Sequence, residues 1–361
     1  MESDVSAVSR TLMFRLGRVV LFVGVGLLTA CAPHQTAKRA TPVPTAEIEE
    51  ILVATPRSLS STGQAFGEQR PQGMNFFRAG ISVPPTHQTG KIEWPDETPD
   101  ASTDFVVADT QVLQGQSDLL RSVRRGRRGQ ETLVFVHGYN NTLSDSMYRL
   151  AQIRTDFEIT MPTVLFSWLS AGDPRGYAYD RDSVLFSRDD FVEMLDGLTS
   201  RPGERVFLLA HSMGSHLVME ALRQAALRGD TEILSRISGV VLMSPDIDPD
   251  LFRRQAEAIG SLPQPFLIFT SRQDRALSIA GFITGRKQRL GLIDGPDKVK
   301  GLNVKLIDFT ALADGEGYNH LVPVTSPAAV NVLRGMINQA GKRASAFGDY
   351  MVLGGQPALV Q

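Results

Sequence analysis

The sequence predicts an α/β fold, with a mostly parallel central sheet, helices on both faces and no large separate cap domain. Three observations carry that prediction. Apolar strand-like runs alternate with helix-forming stretches along the body of the chain, the pattern left by parallel strands joined through helical crossovers. One such run, Pro265-Phe-Leu-Ile-Phe-Thr270, is too apolar for an edge strand and belongs in a sheet buried on both sides. A third run, Arg205-Val-Phe-Leu-Leu-Ala210, stops abruptly at His211-Ser212 and gives way to helix formers from Ser215 to Leu227, with Leu217, Ala221 and Leu222 on one stripe.

The elements follow in chain order. Arg10, Arg15 and Arg18 precede an apolar segment, Val19 to Cys31, shorter than the roughly 20 residues that a membrane-spanning helix needs. It ends in Leu28-Thr-Ala-Cys31, which resembles a bacterial lipobox: small residues fit the signal-peptidase cleft and the thiol receives a diacylglycerol anchor. The alternative is an ordinary cleaved signal with an incidental cysteine. Cys31 is the only cysteine, so disulfides and cysteine-based metal sites are excluded. Met13-Phe-Arg-Leu-Gly-Arg18 makes a compact positive start by itself, whereas Glu2 and Asp4 are unusual there, so translation is expected to begin at Met1 or Met13. Ala32 rather than aspartate follows the cysteine, which by resemblance to enteric lipoproteins implies the outer membrane, facing the periplasm.

Residues 1–30 therefore read as a lipoprotein signal peptide, and 31–70, rich in Pro, Thr, Ala and Ser, as a flexible tether. Residues 71–345 read as a single domain, long enough for one large core, and 346–361 as a loose tail. Arg78-Ala-Gly-Ile-Ser-Val83 and Asp104-Phe-Val-Val-Ala108 are expected to open the domain as antiparallel strands. The basic cluster Arg121 to Arg128 reads as a solvated loop or an anionic-lipid contact. Two insertions, Leu169 to Ser187 with Tyr177 and Tyr179, and the apolar Leu277 to Gly285, are placed to line a pocket or simply to pack. Ser326-Pro-Ala-Ala-Val-Asn-Val-Leu-Arg-Gly-Met-Ile337 opens with a cap and a proline, giving a closing helix.

The chemistry is read from Ser212. Between a strand and a helix, with Ala210 and Gly214 two positions either side, it has the form of a nucleophile elbow, a tight turn that lifts the hydroxyl above the sheet. Ala210 departs from the usual first glycine by one methyl group. A serine hydroxyl needs a base to take its proton and a carboxylate to orient that base. Of six histidines, His320 alone lies downstream of the helix that follows the elbow, in a glycine-rich loop after the β-like Val304 to Thr310. For the acid, Asp274 ends the turn after the Pro265 strand, while Asp246 and Asp248, after Gly239-Val-Val-Leu-Met-Ser244, are its competitors or simple helix caps. Backbone N–H groups of Met213 and Tyr139 are expected to form an oxyanion hole. His137 and Gly138 shape the loop that carries Tyr139, and His211 and His216 have packing or surface roles.

With these pieces in place the chain resembles the α/β-hydrolase superfamily, and within it a bacterial family catalogued as a domain of unknown function, number nine hundred. The resemblance rests on Phe135-Val-His-Gly-Tyr-Asn140, Phe166-Ser-Trp168, Gly176-Tyr-Ala-Tyr-Asp-Arg-Asp182, Ala210-His-Ser-Met-Gly214, Ser244-Pro-Asp-Ile-Asp248 and Ser271-Arg-Gln-Asp-Arg-Ala-Leu277. It covers about Arg78 to Ala340 and implies the α/β-hydrolase fold with a triad of Ser212, Asp274 and His320, but no substrate. The expected function is a lipid-anchored envelope serine hydrolase of carboxylesterase or lipase type, acting on a small-molecule or lipid ester through an acyl-serine. A non-catalytic envelope scaffold and an acyltransferase with the same triad are the alternatives. No cofactor or metal is expected, since the histidines lack ligand spacing. With 37 basic and 39 acidic side chains and no recognition motif, no nucleic-acid partner is expected; the membrane is to be met through lipidated Cys31, and oligomeric state is left open.

Overall fold

Alternation of side chains along each strand divides the apolar residues between two faces, and helices cover both. In β4 (Glu131–Val136), Val134 and Val136 enter one core while Phe135 enters the other. The same split places Val240 and Leu242 of β7 (Ile237–Met243) opposite Val241 and Met243, and Phe266 and Ile268 of β8 (Phe266–Thr270) opposite Leu267 and Phe269. This two-sided burial is why these runs are apolar throughout rather than alternating.

The structure is a computed structural model that describes residues 35–57, 73–126, 131–285, 287–314, 316–340 and 350–352. Cys31 and the segment before it, expected to be a signal peptide, lie outside the described residues, and the described residues from Thr36 on form one compact unit. The remaining strands are β1 (Glu47–Thr55), β2 (Asn75–Val83), β3 (Val106–Leu113), β5 (Thr163–Phe166), β6 (Arg205–His211), β9 (Lys305–Asp308) and β10 (Tyr350–Val352). They form one sheet in the order β10-β9-β8-β7-β6-β4-β5-β1-β2-β3. β2 pairs antiparallel with both β1 and β3, and every other pairing is parallel. Nine helices accompany the sheet among the described residues: α1 (Gln116–Gly126), α2 (Leu143–Asp156), α3 (Tyr177–Leu198), α4 (Met213–Arg228), α5 (Thr231–Ser235), α6 (Pro249–Ile259), α7 (Arg275–Ile283), α8 (Val322–Thr325) and α9 (Pro327–Ala340).

Two expectations about organisation are corrected. The tether assigned to 31–70 contains β1, an interior strand hydrogen-bonded to β5 on one side and β2 on the other. Its second half, Ile51 to Thr55, is fully buried, and Glu49 in its first half is held by Arg154 of α2 at 2.5 Å. The domain therefore starts well before residue 71. The tail assigned to 346–361 contains β10, whose backbone pairs in parallel with β9. The antiparallel pairing of the strands around Arg78 and Val106 holds as expected, although they are the second and third strands and not the opening pair. α9 closes over the sheet through Ala329 and Leu333, as the capped Ser326-Pro pattern predicts.

Parallel strands place all their carboxyl ends on one edge. The loops after β4, β6, β7, β8 and β9 carry Gly138, Ser212, Asp246, Asp274 and His320 respectively, so the topology gathers on one rim residues that are far apart in sequence.

Candidate active site

Ser212 has φ 52° and ψ −121°, a backbone conformation that an L residue adopts at a cost on the order of 1–3 kcal/mol and keeps only when its surroundings dictate it. Here they do. Its N–H donates to Met243 O at 2.9 Å, and its carbonyl accepts from Ser215 N and Asp246 N, each at 3.1 Å. A serine at the start of a helix usually spends its hydroxyl capping the next N–H groups. Ser212 makes no such bond, so its Oγ is left for other chemistry at the amino end of α4. Gly214 lies against the end of β4, where a Cβ would sit 2.3 Å from His137 O and 2.8 Å from Val136 O. Ala210 tolerates its methyl group, which is buried in the same core as its register partners Val136 and Leu242.

Asp274 is fully buried and uses its two carboxylate oxygens separately. Oδ1 accepts Leu277 N at 2.9 Å and caps α7, while Oδ2 is 2.7 Å from His320 Nδ1. The helix cap and the contact to His320 thus coexist in one side chain. With Nδ1–H donated to the carboxylate, Nε2 of a neutral His320 carries a lone pair. The His320 ring rests on the ring of His211, the residue preceding Ser212, with centroids 4.6 Å apart. No hydrogen bond joins Ser212 Oγ to His320 among the described residues, and such contacts often tighten only when substrate is bound. The loop before His320 is wound through three consecutive left-handed residues, Gly317, Tyr318 and Asn319. Buried Asn319 ties it to the loop of the acid by donating to Gln273 O at 3.3 Å. That positioning contact was not foreseen from sequence, because an asparagine beside a loop histidine carries no pattern of its own.

The loop after β4 is arranged around one unengaged amide. Gly138 N donates to Asn141 Oδ1 at 3.1 Å, Asn140 N to Asp180 Oδ2 at 3.3 Å, and Asn141 N to Ser170 Oγ at 3.3 Å. Among the described residues, the N–H groups of Tyr139 and Met213 have no acceptor. Gly138 lets the loop reach the elbow: a Cβ there would meet His211 Nδ1 at 2.6 Å and Ser212 Cβ at 2.9 Å. His137 supports the loop from beneath. Its Nδ1 pairs with Gly138 O at 2.9 Å, its ring stacks on Trp168 at 5.1 Å, and Trp168 Nε1 donates to its carbonyl at 2.7 Å. Burial and the neighbouring Arg57 cation lower its pKa to about 3, so it stays neutral and suits a structural role. Burial likewise holds His216 neutral, with a pKa near 4, and pushes His211 well below the ordinary histidine range.

Asp180, on the first turn of α3, lies both in the family-like segment 176–182 and in the insertion 169–187, with no role of its own expected from sequence. Fully buried, it accepts from Ala171 N at 2.6 Å and Ser170 Oγ at 2.7 Å as well as Asn140 N, and burial raises its pKa. It binds two loops of the rim together.

The competing acids have other partners. Asp248 caps α6, accepting Asp250 N at 2.9 Å and Leu251 N at 3.3 Å. Asp246 Oδ1 lies 2.7 Å from Arg289 Nε, its Oδ2 accepts Tyr177 OH at 2.9 Å, and Arg289 Nη2 donates to Tyr177 OH at 2.5 Å. Both charges are almost wholly buried, and Tyr177, of the insertion expected to line a pocket or to pack, is buried with them. Among the described residues no three His, Cys, Asp or Glu side chains converge as metal ligands.

Ser212, Asp274 and His320 follow β6, β8 and β9 in the order serine, acid, histidine, and the fold that carries them is that of an α/β hydrolase. The chain belongs to the family described as alpha/beta hydrolase of unknown function (DUF900), whose model matches residues 114–337. No curated protein matches the sequence significantly. Among solved structures it is similar to a dienelactone hydrolase from Anabaena variabilis ATCC 29413, at 13% identity over 81% of this chain and 96% of that one, with a TM-score of 0.37. It is also similar to carboxyl esterase 2 from the mycorrhizal fungus Tuber melanosporum, at 11% identity, 88% and 93% coverage and a TM-score of 0.39. The Pyrococcus furiosus esterase Pf2001 shows 10% identity, 85% and 98% coverage and a TM-score of 0.39. Likenesses this distant say nothing of the reaction catalysed here.

Proposed function

We propose that this α/β hydrolase is a serine carboxylesterase, lipid-anchored through Cys31 at the periplasmic face of the outer membrane. The observation that carries the enzymatic reading is the 2.7 Å hydrogen bond between buried Asp274 and His320, delivered beside a strained serine whose hydroxyl is not used as a cap. In the reaction His320 Nε2 takes the Ser212 proton as Oγ bonds to the ester carbonyl carbon. The oxyanion is held by the Tyr139 and Met213 N–H groups, which among the described residues have no acceptor to give up. His320 then returns the proton to the departing alkoxide, leaving an acyl-serine. Water, deprotonated by the same imidazole, attacks the acyl carbon, and the proton passes back to Ser212 Oγ as the acid leaves. Asp274 keeps Nδ1–H donated and stabilises the imidazolium formed in each half-reaction.

Labelling with a fluorophosphonate probe tests the nucleophile. The natural protein should react and Ser212→Ala should not; labelling that survives the substitution refutes the assignment, and an inert natural protein favours a scaffold. The anchor rests on the Leu28-Thr-Ala-Cys31 pattern. Metabolic incorporation of an alkyne fatty acid should be lost in Cys31→Ala, and unchanged incorporation would remove the anchor at that residue.

A further inference from the structure

α7 is built the wrong way round for a helix facing water. Its inward side is apolar, as expected, with Leu277 and Ala280 buried, yet its outward side is apolar too. Ile279, Phe282 and Ile283, at the i, i+3 and i+4 positions of one stripe, are 54%, 69% and 55% exposed. The loop before His320 packs against α7, and it adds Tyr318 at 58% exposure. A shallow groove lined by Ser278, Gly281, Phe282, Lys287, Gln288 and Leu292 runs along the helix. Scattered exposed apolar residues need no explanation, but several large ones on one short helix do.

The charge around this stripe indicates what it meets. From Arg272 to Arg289 the sequence has five cations, Arg272, Arg275, Arg286, Lys287 and Arg289, against one acid, Asp274; Arg289 is buried on Asp246 and Arg272 lies 3.9 Å from buried Asp308, which leaves Arg275 and Lys287 among the described residues. Asp274 is fully buried on His320 and lends no negative charge to the surface, while Arg275 and Lys287 are exposed beside the stripe. An apolar edge rimmed by cations matches an anionic lipid surface, where the side chains enter the headgroup–acyl boundary and the cations meet phosphates. A second copy of the same basic rim would instead be repelled. Position strengthens the point: Asp274 is the cap of α7, so the helix begins at the candidate triad and whatever holds it is held next to His320.

We propose that α7 and Tyr318 form a lipid-docking face that seats on an anionic phospholipid bilayer and presents the rim carrying Ser212, Asp274 and His320 to it. The docking face stands on its own; the corollary that the ester cleaved is an acyl lipid drawn from that bilayer rests on the hydrolase reading above. Position 282 is labelled in the full chain as Phe282→Cys with Cys31→Ser, using an environment-sensitive nitrobenzoxadiazole dye. Leu227, 64% exposed at the far end of α4, is labelled the same way as the control. On phosphatidylglycerol vesicles the label at 282 should shift to the blue and brighten, with little response on phosphatidylcholine and none at 227. Arg275→Gln and Lys287→Gln should each raise the half-maximal lipid concentration by about fivefold.

A silent label at 282, or equal responses at 282 and 227, overturns the proposal; the second result would mean that the amino terminus alone holds the chain to vesicles. A change at 282 that tracks protein concentration without lipid assigns the face to a second copy and also overturns it. Fluorophosphonate labelling of Ser212 is measured separately, so loss of docking and loss of catalysis are distinguished.

Discussion

Replacing Asp274 with Asn separates the two duties of that side chain. The cap on α7 needs only an acceptor at Oδ1, 2.9 Å from Leu277 N, and asparagine retains one; asparagine and aspartate are near-equal caps. The fold should therefore hold, with a stability change within about 1 kcal/mol. At Oδ2 the substitution puts an amide NH₂ group opposite His320 Nδ1, which lies 2.7 Å away. Two donors cannot face each other, so Nδ1 must accept and the ring proton moves to Nε2. The imidazole then shows a proton rather than a lone pair toward the elbow. The buried negative charge that stabilises the imidazolium is lost as well, since Asp274 is fully enclosed. Together these should lower kcat by 10³- to 10⁴-fold, about 4–5.5 kcal/mol of transition-state stabilisation. Hydrolysis of p-nitrophenyl esters gives kcat and KM, and thermal unfolding reports the cap. A loss below tenfold in a folded Asp274→Asn protein would falsify the assignment of the acid, the more so if Asp246→Asn abolished turnover.

Two further outcomes follow from the geometry. Gly138→Ala places a methyl group within 2.6 Å of His211 Nδ1, so the loop carrying Tyr139 must retreat; kcat should fall about 10²-fold with KM little changed, and steady-state kinetics showing normal kcat would remove the close approach from the mechanism. His87 is a stability sensor away from the rim: burial opposes its charge, but hydrogen bonds to Asp156 at 3.2 Å and Glu93 at 2.9 Å overcome this and raise its pKa from 6.5 to about 9. Its contribution is therefore complete below pH 6.5 and lost as pH rises through 9, amounting after solvent screening to roughly 2 kcal/mol. Unfolding in denaturant at pH 6 and pH 10 should show this loss in the natural protein but not in His87→Gln, and equal pH dependence in both would assign it elsewhere.

Local chemistry determined much of this molecule. A strand ending at Ser212, small residues at 210 and 214, and Asp274 and His320 downstream in fixed order mark the candidate elbow and its candidate partners, because a tight strand-to-helix turn tolerates few side chains wherever it occurs. The two-sided burial of the sheet was legible too, since strands without a polar face cannot border water. β1 has no strand pattern of its own, because its first half carries Glu47, Glu49 and Glu50 and it follows a Pro- and Thr-rich stretch; only pairing with β5 and β2 and the ion pair to Arg154 make that segment a strand.

The partners of the competing acids belonged to the tertiary structure. Asp246 and Asp274 both follow buried strands, and the sequence favours Asp274 without excluding Asp246. Folding brings Arg289 and Tyr177 onto Asp246 and leaves Asp274 to His320. The same is true of Asp180, whose hold on the Tyr139 loop depends on where α3 begins relative to β4. A residue's neighbours along the chain decide which turn or helix it can enter. Which charge it meets is decided by packing between segments whose separation in sequence carries no trace of their distance in space.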